Sequence, residues 1–92
     1  PYLDAVHYLL QKNFFVDGLN DANQIYSSLK ESSIWKKFDD RRSLEMVIMY
    51  LLEIINLYLS RTSEESLDEK SRQKIRIEIL EKAVTEYANL SR

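Results

Sequence analysis

The chain has 92 residues, 45% of them hydrophobic and 30% charged, with one glycine, one proline and no cysteine, the size of one small domain held together by an apolar core. A single glycine excludes a glycine-rich phosphate loop or a Rossmann turn and argues against a sandwich of tight hairpins, and the lack of cysteine excludes a disulfide scaffold, a thiolate zinc site and a cysteine nucleophile. The formal charge is −2, with 6 basic against 7 acidic residues in 1–46 and 7 against 8 in 47–92, so neither half is a basic arm that would wrap a phosphate backbone.

The chain starts at Pro1 and enters a helical pattern at once, with Asp4 and His7 where a signal peptide would carry an unbroken apolar run. The expectation is a single helical domain, residues 1–92, cut from a longer intracellular protein of the cytoplasm or nucleus. Pro1 suits a first helical turn, and Leu3, Val6, Leu10 and Phe14 recur at spacings of 3 and 4, which predicts a first helix over about 2–14. Asp17-Gly18-Leu19-Asn20 is a turn signal, and Asn20 or Asp21 caps a second helix over about 21–31 with Ala22, Ile25, Tyr26 and Leu29 on its apolar side.

Ser32-Ser33 interrupts that helix, because serine hydroxyls compete for nearby backbone groups, and residues 34–38 read as a short separate turn plugging the side of a bundle. Asp39-Asp40 then offers a capping oxygen and negative charge to a third helix over about 40–61. Twelve of the fourteen residues from Met46 to Leu59 are apolar, so this helix is expected to be central, buried on most sides, with Leu52 and Ile55 in the core. The run is too short, and Glu53 too charged, for a membrane span, which needs about 20 apolar residues.

After a polar connection over 60–65, Ser66-Leu67-Asp68-Glu69 has the capping-box pattern, starting a fourth helix near residue 67. Its apolar stripe is Ile75, Ile79, Ala83, Tyr87 and Leu90, widened by Leu80, Val84 and Ala88, and Arg72 and Arg76 form a like-charge pair one turn apart. The fold class is therefore all-α: an antiparallel bundle of four helices plus a short helical turn, with the third helix central.

Little in this pattern carries chemistry. His7 has Asp4 one turn before it, but no further ligand completes a metal site, and no cofactor or metal is expected. Glu53 and Asn56 share a face and read as the solvent side of the third helix. Trp35, Lys36, Lys37, Arg41 and Arg42 place one aromatic ring among four cations, a combination that stacks bases and neutralises phosphate, although Asp39 and Asp40 lie among them. No nucleophile, base or phosphate loop can be assembled, so the chain is not expected to be an enzyme.

Six tyrosines and one tryptophan, together with the over-apolar third helix, point instead to contact surface. The expected function is a non-enzymatic protein–protein interaction domain. It binds an amphipathic helix or another subunit in an apolar groove beside the third helix, walled by the second or the fourth, with Trp35, Met49, Tyr50 and Leu57 as anchors. The alternatives are a self-associating structural module and weak nucleic-acid or polyanion binding through Lys36, Lys37, Arg41 and Arg42.

Overall fold

The computed structural model describes residues 2–59 and 67–90. Among them five α-helices follow in order, α1 Tyr2–Gln11, α2 Ala22–Glu31, α3 Ser33–Lys36, α4 Asp40–Leu59 and α5 Leu67–Leu90; a π-helical turn, Lys12–Val16, continues α1, and there is no strand. The all-α expectation holds. Pro1 as a first helical residue, the end of the third predicted helix past 59, the 60–65 connection and the Ser66 cap lie outside the described residues. No helix of the described residues is long and apolar enough to cross a membrane.

The punctuation residues act as their chemistry requires. The π-turn widens the end of α1, with Asp17 N–H donating to Lys12 O at 2.9 Å, five residues back instead of four. Gly18 then takes a left-handed conformation, φ 65°, which folds the chain back so that Leu19 N–H reaches Asn13 O at 2.8 Å. The Asp21 carboxylate accepts from the backbone N–H of Asn23 at 2.7 Å and of Gln24 at 3.4 Å, satisfying donors that the first turn of α2 leaves open. Ser32 serves two helices: its hydroxyl donates to Leu29 O at 2.7 Å at the end of α2 and accepts from Trp35 N–H at 3.2 Å at the start of α3. Asp39 caps α4 through Arg42 N–H at 2.8 Å.

The core gathers Val6 and Leu10 of α1, Ile25 and Leu29 of α2, Leu44, Val47 and Leu51 of α4, and Ile79 and Ala83 of α5, all 2% exposed or less. α4 and α5 pack along each other in opposite directions: Gln73 Nε2 donates to Ile55 O at 2.9 Å, and Tyr87 Oη donates to Glu45 Oε1, also at 2.9 Å. α2 lies against α5, joined by Lys30 and Glu86 at 2.7 Å. α1 runs alongside α4 in the same direction, since His7 meets Tyr50 and, one turn and more further on, Phe14 and Tyr58 both lie against Arg76. Not every neighbouring pair is antiparallel, then. The reason is α3, which carries the chain across the molecule between α2 and α4.

Two expectations about burial are corrected. α4 is not covered on most sides: Leu52 is 55% exposed, whereas Ile55 is 9% exposed and inside. On α5 Ile79 and Ala83 are buried and Ile75, Leu80 and Tyr87 pack against the core as expected, but Gln73 and Arg76 are buried beside them, while Val84, Ala88 and Leu90 are exposed.

The neighbouring leucines of α4 therefore differ in cost. Leu51→Ala leaves a cavity in a fully buried site and is expected to lower stability by about 2–5 kcal/mol, while Leu52→Ala should change it by no more than about 0.5 kcal/mol. Urea unfolding of the two variants, with equal slopes, measures the difference.

Candidate functional site

Residues seven apart on an α-helix lie nearly on one line, since seven residues make almost two turns of 3.6. The Tyr87–Glu45 hydrogen bond and that of Gln73 to the Ile55 carbonyl set the α5 line of residues 73, 80 and 87 against the flank of α4 that carries Glu45, Ile48, Leu52 and Ile55. The next lines outward carry Met49 and Asn56 on α4 and Lys70, Ile77 and Val84 on α5. On this outer face Met49 is 59% exposed, Leu52 55%, Ile77 38% and Val84 47%, with half-buried Ile48 and Leu80 at the seam between them. Exposed apolar residues are ordinary when scattered, but here they lie on the same side of both helices of one packed pair.

The four residues expected as anchors divide in two. Trp35 is 4% exposed, its indole N–H donating to Asp40 Oδ1 at 3.0 Å and its ring edge-on to Tyr26. Tyr50 is 7% exposed and hydrogen-bonded to His7 Nδ1 at 2.6 Å; burial pushes its hydroxyl up to about 12, against the pull of Arg76. Both are interior residues whose polar tips are satisfied. Met49 and Leu57 face solvent, but eight residues at 100° each set them about 80° apart around α4. Met49 belongs to the α5 side of the exposed arc and Leu57 to the α1 side.

The basic cluster is also divided. Lys36 and Lys37 are exposed, whereas Arg41 and Arg42 both approach Glu45, at 3.8 and 3.6 Å, and the Arg41 guanidinium lies over the Tyr87 ring. The Trp35 ring is enclosed and offers no face for a base to stack on. His7 has Tyr50 and Gln11 as neighbours, the latter at 3.3 Å, and among the described residues no group of three or more His, Asp or Glu side chains is placed to hold a metal. Glu53 and Asn56 are exposed.

The interior of α5 holds what reading by periodicity missed. Glu69 accepts from Arg72 Nη2 at 2.8 Å and from Arg76 Nη1 at 2.9 Å, so the two arginines, a like-charge pair when taken alone, share one carboxylate. The Arg76 guanidinium lies 5.4 Å from the Phe14 ring centre and 4.5 Å from that of Tyr58, and Arg72 covers Phe15 at 4.7 Å. The available signal was the spacing of Glu69 to Arg72 and Arg76, three and seven residues, which places all three on one side of a helix. Burial raises the Glu69 carboxyl, but hydrogen bonds from Arg72 and Arg76 outweigh it and hold it below its ordinary 4.5.

A carboxyl lowered in the folded state contributes stability that is full above its unfolded value and is lost as pH falls through the folded one. Glu69→Gln is therefore expected to cost about 1.5–3 kcal/mol at pH 7, as for hydrogen bonds to charged groups. The gap from the unmutated chain should narrow steadily below about pH 4, measured as urea midpoints at a series of pH values. Comparison with protein-family models, with curated proteins and with solved structures found no match.

Proposed function

We propose that this chain is a non-enzymatic, intracellular protein–protein interaction domain that receives an amphipathic helix or another subunit on the outer face of α4 and α5. The observation that carries this reading is the adjoining exposure of Met49, Leu52, Ile77 and Val84. A partner helix presents apolar side chains at i, i+3, i+4 and i+7, and two packed helices offer a shallow trough of that spacing. Burying apolar surface there gains roughly 25 cal/mol per Å² before the costs of association. Methionine at the centre suits the role because its unbranched thioether adapts to more than one partner shape.

Within this reading the four long helices form two αα-hairpins, α1 with α2 and α4 with α5, packed as a bundle whose α4–α5 side is left open to a partner. Trp35 and Tyr50 support the face from within, by fixing α3 and α1 against α4, and do not touch the partner. The polyanion alternative has less behind it, since Arg41 and Arg42, though exposed, are drawn to Glu45 and the enclosed Trp35 ring leaves no face for a base.

A synthetic amphipathic helical peptide of about four turns, with leucines at the i, i+3, i+4 and i+7 positions, tests the reading. Titrated into isotope-labelled protein, it is expected to shift the methyl resonances of Met49, Leu52, Ile77 and Val84. Leu52→Glu should weaken binding tenfold or more, about 1.4 kcal/mol, without lowering the thermal midpoint. Shifts centred on another face, or none at about 1 mM peptide, the limit of weak specific binding, would overturn it.

A further inference from the structure

The exposed charges of α5 are segregated along its length. Lys70 and Lys74 stand in the N-terminal half and Glu78 and Glu81 follow them toward the C-terminus; all four are exposed, and none forms an ion pair among the described residues. Lys74 and Glu81 flank Ile77 on the apolar outer face, seven residues apart and so on one line of the helix.

An antiparallel copy of α5 makes this order complementary. Turned end for end over the first, it sets the lysine half of each helix beside the glutamate half of the other and opposes the two dipoles. A two-fold axis lying in the contact plane between the levels of Ile77 and Glu78 pairs Lys74 with the second copy's glutamate at position 81 and repeats the pair on the other side, as an isologous contact requires. The same operation brings Leu52 and Ile77 near their own copies at the axis, with Met49 and Val84 farther out on each side.

We infer that the occupant of the α4–α5 face is a second copy of this chain, bound antiparallel and held in register by two symmetry-related Lys74–Glu81 pairs. This rests on the reading of that face as a docking surface and names its partner. The charge pairs select orientation, while the apolar side chains supply most of the affinity.

Sedimentation velocity of the whole chain at low salt, from about 10 to 500 μM, a span suited to weak association, tests the inference. The unmutated chain is expected to shift from monomer to dimer. Lys74→Glu and Glu81→Lys should each weaken the dimer at least tenfold. An equimolar mixture of the two single variants should recover it, because 74 and 81 are then again opposite in sign at both contacts. Both positions are exposed, so unchanged helical circular dichroism and thermal midpoint confirm that the variants fold. A monomer throughout the concentration range overturns the inference, while the peptide titration still reports separately on the face. A dimer that ignores both charge changes, or a mixture that stays monomeric, overturns the antiparallel register.

Discussion

The buried guanidinium of Arg76 is the constraint on which the arrangement of α5 depends. At 3% exposure it cannot be left without partners, because stranding a charge in the interior costs about 3–5 kcal/mol. It therefore draws three separate parts of the chain to itself: Glu69 on its own helix, Phe14 from the π-turn and Tyr58 from α4. Gln73 adds the bond to Ile55 O one turn away. Ile77 and Val84 lie just beyond Gln73 around the helix, by about 40° and 20°, so the exposed apolar face begins where the buried polar one ends.

A second consequence concerns rigidity. The interior contacts at the Arg76 end are directional, charge-assisted hydrogen bonds and ring contacts, whereas those around Ile25, Leu44, Leu51 and Ile79 are non-directional packing. Packing tolerates a small rotation of α5; the Gln73 bond to Ile55 O and the seating of Arg76 against Phe14 and Tyr58 do not. The angular position of the outer face is thus set from within, and a surface whose side chains stay in place offers a partner less to reorganise.

Much of the fold was legible because its signals are local. Asp21, Ser32 and Asp39 reach backbone donors two or three residues away, and Gly18 meets a single dihedral requirement, so each could be read without knowledge of what packs against it. The excess of apolar residues on α4 was legible for the same reason, but not which face of that helix is left exposed. Trp35 and Tyr50 were not, because an amphipathic ring suits an interface and a core edge equally, and their placement is decided by Asp40 and His7 through tertiary contact. The face of α5 was misread for a deeper reason. Hydrophobic periodicity sends Arg76 and Gln73 to solvent, and only the partners from α4 and the π-turn make their burial affordable.

The π-turn at Lys12–Val16 has a bearing on how this chain can vary in length. Each of its residues advances the helix by less angle than an α-helical residue, so the turn acts as one residue inserted into α1. Removing one residue from it would restore α-helical winding and leave the residues after it near their present angle, whereas removing one between Val6 and Gln11 would turn Val6 by roughly 100° relative to Asn13 and Phe14, which hold the interior and the Arg76 guanidinium. The turn is therefore a place where this helix can lose a residue without twisting its own core face, close to a surface connection where changes of length are ordinary.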